Sequence, residues 1–299
     1  MNRTLAYALL VFLAGSSYGF IVPAVKIASA NGVDVADFLP AQYLLAFFIM
    51  GAVTLVKRVS LPEPKELAKL AGIGLFTSCT SLCYYRAVAL LPSAVALTLL
   101  FQFVWIGVIL ESVATRKLPN RSTVIAVIIV LIGTVFAAGV FDSSFAELDP
   151  AGLAFGLGSA VFYSLFLFTS GKVGVEYAVP LRTMMLALGG FFMTSALNVG
   201  FFTGALWDLK IWPYAVALSF LGIIIPTGLI AFASPKLPGD MVTIMASSEL
   251  PVGVLAAWAI VADIPSLPTL IGVALVLGGI VYNQLPALKE ALGKSRHTQ

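Results

Sequence analysis

The sequence predicts an all-α integral membrane protein of ten transmembrane helices in two inverted five-helix repeats. Three observations carry this. First, 60% of the 299 residues are hydrophobic, 10% are charged and mean hydropathy is +1.03, too little polar side chain to cover a soluble globule. Second, the apolar residues gather in long uninterrupted runs able to cross roughly 30 Å of hydrocarbon as helices, where a barrel would show alternating strands of about ten residues. Third, the chain resembles itself at a shift of 146 residues. Laid without gaps, Pro92–Ala137 over Pro238–Asn283 matches Pro92 with Pro238, Gly107 with Gly253, Pro119 with Pro265, Thr123 with Thr269 and Gly133 with Gly279. Apolar identities accumulate by chance, whereas prolines and glycines in register do not. The same shift pairs Phe20 with Phe166 and Lys26 with Lys172. Five spans per repeat is an odd number, so the halves must be inverted relative to one another.

The first span runs from about Leu5 to Ala28 and ends on Ala28-Ser29-Ala30, which has the form of a secretory cleavage site. The run is longer than a signal peptide's core, so it is read as a retained helix. Ala36 to Val56 and Leu67 to Leu91 follow, the latter holding Cys79 and Cys83, four apart and fitting no metal spacing. Ser93 to Ala114 and Ser122 to Phe141 complete the first repeat, residues 1–141. Ala151 to Gly171, Tyr177 to Phe202, Trp212 to Ser234, Gly239 to Val261 and Leu267 to Leu288 form the second, residues 149–288, and residues 289–299 are read as a cytoplasmic tail.

Fourteen of the seventeen Lys and Arg residues, among them Lys57, Arg58, Arg116, Lys172, Arg182 and Lys236, fall on one side of this arrangement. That side is expected to be cytoplasmic, with both termini on it and the cytoplasmic (inner) membrane as the location. The other side collects acids, including Asp142, Glu147 and Asp263. The net charge of +3 is thus a topology signal and not a nucleic-acid surface.

Several classes of function are excluded by what is missing. His297, the one histidine, lies in the tail, and no phosphate-cradling Gly-rich loop with its lysine occurs, so neither a metal centre, a cofactor, an enzyme nor a nucleotide-driven pump is expected. No basic residue falls in the middle third of a span, which disfavours a polyanionic substrate.

The polar residues inside the spans supply the candidates. In the fourth helix Thr98, Phe101, Gln102 and Trp105 recur at spacings of three and four and share a side. Trp105 and Phe101 suit a flat apolar ligand, Gln102 a polar group; helix packing is the alternative for both. Tyr18, Ser78, Tyr84, Tyr163 and Ser247 are candidates for the same cavity. Glu249 lies near mid-span, where an ionised carboxylate costs roughly 2.5–3.5 kcal/mol, so it must be protonated, paired or facing water. It could receive a substrate ammonium, bind a coupling proton or make a structural hydrogen bond. Glu111, near Arg116, is read as a solvated interface residue. Pro226 and Pro251 are hinge candidates because each removes a backbone hydrogen bond.

The ten helices, the five-plus-five repeat, the lysine closing the first helix of each half and the run Ser247-Ser248-Glu249-Leu250-Pro251-Val252 resemble the drug/metabolite transporter superfamily, most closely its EamA-type exporters. The second half fits the pattern through Glu249, Pro251, Asp263, Gly272, Gly278 and Gly279. The first half departs from it, with Phe103 and Trp105 in the places of Glu249 and Pro251. The Trp-containing fourth helix is most similar to the YddG-type aromatic amino acid exporters. The resemblance implies a secondary transporter in the lipid bilayer, with small apolar or aromatic solutes as partners and protons as a candidate coupling ion. Alternating access through a central cavity is the expected mechanism, and a multidrug or organic cation exporter of the same fold is the alternative.

Overall fold

The structure, a computed structural model, describes residues 3–91, 93–137, 148–262 and 264–296. Pro92, Phe141, Asp142, Glu147, Asp263 and His297 lie outside the described residues. Within them the chain is helical throughout. The helices are α1 Arg3–Gly19, α2 Ile21–Ala30, α3 Val35–Val56, α4 Pro64–Leu90, α5 Ser93–Leu100, α6 Phe103–Thr115, α7 Arg121–Ala137, α8 Pro150–Ser170, α9 Val179–Leu197, α10 Gly200–Thr203, α11 Trp212–Ser219, α12 Ile225–Ala233, α13 Gly239–Ala246, α14 Glu249–Val261 and α15 Leu267–Arg296. Their starts follow local chemistry. Asp34 and Asp149 cap α3 and α8 by accepting from Ala36 N at 2.9 Å and Ala151 N at 2.7 Å, and a proline sits in the first turn of α4, α8, α9 and α11.

Eight helical stretches are long and apolar enough to cross a membrane: Arg3–Ala30, Ala36–Val56, Pro64–Tyr84, Val95–Thr115, Pro150–Ser170, Trp212–Lys236, Gly239–Val261 and Leu267–Leu285. Of the two further spans expected from the sequence, the fifth corresponds to the shorter Arg121–Ala137 and the seventh to α9, whose apolar run is interrupted by Arg182. The seventh also ends earlier than expected. Asn198 leaves the helical region at φ −128° and donates its side-chain amide to Ala36 O at 2.8 Å, so the chain turns away before Phe202.

The 146-residue shift reappears in the backbone. α5 and α13 have eight residues each and α6 and α14 thirteen, and each pair is separated by a two-residue turn, Phe101–Gln102 in one and Ser247–Ser248 in the other. α6 ends on Arg116 and α14 on Ala262, both left-handed at φ +54°, and the next helices begin at Arg121 and Leu267. Packing follows the same exchange. α7 lies on α15 and α3 on α9, while α4 against α8 is matched by α1 against α12, α6 against α8 by α1 against α14, and α4 against α9 by α3 against α11. Small residues allow the closest of these approaches: a Cβ on Gly272 would overlap Ala137 N, and one on Gly189 the Ala71 carbonyl.

Candidate functional site

Two of the expected spans are broken at positions 146 residues apart, and each break has a local cause. In the second half Pro251 has no N–H to offer the Ser247 carbonyl four residues back. That carbonyl accepts instead from Leu250 N at 3.3 Å, and the helix restarts at Glu249. In the first half there is no proline. There the Gln102 side-chain amide donates to Thr98 O at 2.9 Å, taking the acceptor that its own backbone N–H would use in a continuous helix, and Gln102 N turns to Leu99 O. A third irregularity, the π turn Phe220–Ile224, lies just before Pro226. Pro226 and Pro251 therefore both sit buried in the first turn of a restarted helix.

Hydroxyl groups stitch these irregular segments to neighbouring helices. Ser248 Oγ donates to Phe12 O at 2.7 Å, Ser164 Oγ to Phe103 O at 3.1 Å and Ser17 Oγ to Leu221 O at 2.7 Å. Backbone that leaves the helical ladder inside a bilayer has no water to turn to, so such donors hold the breaks in place.

The breaks set an aromatic cluster around one carboxyl group. Tyr163 donates its hydroxyl to Glu249 Oε2 at 3.1 Å. Its ring lies edge-on to Phe103 at 4.6 Å and to Tyr18 at 6.1 Å, and is stacked with Phe166 at 6.2 Å. The phenols of Tyr18, Tyr84 and Tyr163 all stand within electrostatic reach of Glu249. Five helices, α1, α4, α6, α8 and α14, thus contribute to one locus. Ion pairs join Lys69 to Glu66 and Lys172 to Glu111, and neither involves Glu249. A carboxyl group that accepts from a phenol, stands among aromatic rings and joins neither of these ion pairs can accept a cation or hold a proton.

The candidates from the sequence fall into two sets. Tyr18, Tyr84, Tyr163 and Glu249 come together. Phe101 is fully buried and reaches them through Phe103, at 5.4 Å between ring centres. Ser78 and Ser247 are buried, but donate to carbonyls of their own helices, Gly74 O and Ile244 O. Gln102 and Trp105 form a pair of their own, Trp105 Nε1 donating to Gln102 Oε1 at 2.8 Å. Trp105 is 38% exposed on a stripe shared with Ile109 and Val113.

Phe103 was not singled out from the sequence, although it is the 146-residue counterpart of Glu249. A site on the axis between two repeats recruits equivalent positions from both, so the counterpart of each candidate was the available signal. Glu111 differs from its expectation. It does not pair with Arg116 as a solvated residue; its side chain is 16% exposed and lies 2.9 Å from Lys172 Nζ. Arg182, expected as an ordinary flanking charge, is 5% exposed, and its guanidinium donates to the Ala231, Ser170 and Val173 carbonyls.

Comparison with known proteins bears on this geometry. Twenty-nine chains of solved structures match the chain. One, described only as the crystal structure of a protein, superposes with a TM-score of 0.76 at 17% identity, over 94% of this chain and 98% of the other; at that identity the likeness is one of fold alone. No curated protein matches. Residues 5–139, which carry Tyr18, Tyr84 and Phe103, match the model of the EamA-like transporter family, so the first half of this multi-pass membrane protein is similar to an EamA-like transporter domain.

Proposed function

We propose that the whole chain is an EamA-type secondary transporter of the drug/metabolite superfamily, exporting small apolar or aromatic solutes, aromatic amino acids foremost, by alternating access. In this reading it resides in the cytoplasmic (inner) membrane with both termini cytoplasmic, and its two halves are inverted repeats. The observation that carries it is the meeting of Glu249, Tyr163, Tyr18, Tyr84 and Phe103 beside the two helix breaks. Broken helices at a repeat interface are where carriers place their solute, because a break frees polar groups and lets the halves rock about a fixed site. Phe103 and the tyrosine rings would take the aromatic ring, and Glu249 the ammonium. The matched packing of α4–α8 with α1–α12 supports two interchangeable halves. Uptake of radiolabelled phenylalanine into liposomes holding the purified protein, with and without a pH gradient, tests the reading. Saturable flux above that of empty liposomes is expected, and its absence would overturn amino acid transport.

A second reading, export of organic cations, is favoured by the same carboxyl group standing among phenols and outside the two ion pairs Lys69–Glu66 and Lys172–Glu111. Glu249→Gln separates the two. It abolishes flux of a hydrophobic cation, but leaves a reduced, measurable flux of a zwitterion whose carboxylate and ring are still recognised.

A further inference from the structure

A cavity of about 180 Å³ opens away from the Glu249 cluster, where α6, α8 and α13 meet the 3₁₀ turn Ser234–Lys236. Its wall combines opposite charges with apolar surface: Glu111 from α6, Lys172 just beyond α8, and Phe168, Leu237 and Val242. The two charges form an ion pair. Lys172 Nζ stands 2.9 Å from Glu111 Oε2 and 4.4 Å above the Phe168 ring, with Lys172 half-exposed and Glu111 largely buried. Gly239 leaves the carboxylate its room, because a Cβ there would come within 2.6 Å of Oε2. The same end of the bundle is closed by Lys236, whose ammonium sits 3.6 Å over Phe232 and 4.5 Å over Tyr7.

The geometry points to a second, peripheral binding site for a small zwitterion, an α-amino acid with an apolar side chain. Lys172 holds the carboxylate, Glu111 the ammonium, and Phe168, Leu237 and Val242 the side chain. The proposal rests on the reading of the chain as a carrier of amino acids. Its chemistry is an exchange of partners. A zwitterion that parts Lys172 from Glu111 gives each a new counter-charge, so no charge is left unpaired. A lone amine leaves Lys172 without a partner, and a lone carboxylate leaves Glu111 so, each in a half-buried setting where an unpaired charge is costly. The site therefore selects against both by leaving a charge exposed to repulsion and desolvation. The volume suits an amino acid and is too small for a drug-sized ligand, whose sites run about 300–1,000 Å³. By the 146-residue shift Glu111 corresponds to Ala257 and Phe168 to Val22, so the opposite end carries no matching pair.

Equilibrium binding of labelled phenylalanine to the purified full-length protein tests this, with phenethylamine and hydrocinnamate as competitors lacking the carboxylate and the ammonium. In the unaltered protein each competitor is expected to be at least tenfold weaker than phenylalanine. Glu111→Gln and Lys172→Gln each weaken the peripheral component of phenylalanine binding about tenfold, leave the component at Glu249 in place, and bring the matching competitor level with phenylalanine at the peripheral site, whereas Glu111→Asp retains the preference. A merely structural ion pair would weaken all three compounds alike, and a preference unchanged in both variants, or no binding to the unaltered protein, overturns the site. Liposome flux measured in parallel keeps the two proposals apart. Binding with the expected selectivity but no flux sinks transport and leaves the site standing, while flux with unchanged selectivity sinks the site alone.

Discussion

Tyr163 donates its hydroxyl to Glu249 Oε2 at 3.1 Å, joining α8 to the first residue of α14 within the second half of the chain. A hydrogen bond to an ionised acceptor contributes about 1.5–3 kcal/mol, and removing the Tyr163 hydroxyl takes this donor from the Glu249 carboxyl group. Tyr163→Phe keeps the ring against Phe103, Tyr18 and Phe166 and removes the hydroxyl alone. Initial phenylalanine flux in liposomes is expected to fall roughly tenfold, the lower end of that range, with the protein still folded but melting a few degrees lower. A rate within twofold of the original would separate the bond from transport.

Arg116 and Ala262 end equivalent helices in the same left-handed conformation, φ +54°. An L-residue there costs roughly 1–2 kcal/mol, and glycine avoids that cost while losing roughly 0.5–1 kcal/mol to its greater freedom in the unfolded chain. Ala262→Gly is thus expected to stabilise by about 0.5–1 kcal/mol, read as a rise of about 1–3 °C in melting temperature in detergent. Ala262→Val, whose branched side chain crowds the left-handed region further, should lower it.

The repeat was legible because Pro119 with Pro265 and Gly107 with Gly253 hold their spacing without a gap. The break before Glu249 was legible in part, since Pro251 announces a missing hydrogen bond. The matching break at Phe101–Gln102 was not, because it depends on a side chain competing with the backbone for the Thr98 carbonyl. A helical stripe of Gln102 and Trp105 reads as a cavity wall on paper, yet once Gln102 turns back on its own helix the two bond each other. The pairing of Glu111 with Lys172 spans 61 residues and two helices, and no local pattern encodes it. Arg182 shows the same limit: a basic residue near a span end has the look of a topology marker until three carbonyls are found around it.

Arg182 binds the ends of α8 and α12 to α9 through those carbonyls. Arg182→Ala leaves buried acceptors unpaired, at about 1–3 kcal/mol each, partly relieved because the unpartnered Nε is removed as well. A net loss of about 3 kcal/mol is expected, seen as a clear fall in melting temperature on heating followed by size-exclusion chromatography. Arg182→Lys should recover less than half of it, since one ammonium lacks the planar fork that reaches several carbonyls at once.

α4 and α9 approach through a reciprocal pair of glycines. A Cβ on Gly74 would overlap the Leu186 carbonyl, and one on Gly189 the Ala71 carbonyl, both of them backbone atoms that cannot swing aside. Gly72, one turn position away on α4, meets nothing within 4 Å. The same substitution should therefore have opposite signs two residues apart. Gly74→Ala and Gly189→Ala force the helices apart and are expected to cost about 1–3 kcal/mol, as overpacking does. Gly72→Ala gains up to about 1 kcal/mol of helix propensity with nothing to displace. Thermal unfolding of the three variants in one detergent checks the contrast. A stabilised Gly189→Ala protein would mean that α4 and α9 do not lie as close as their carbonyls require.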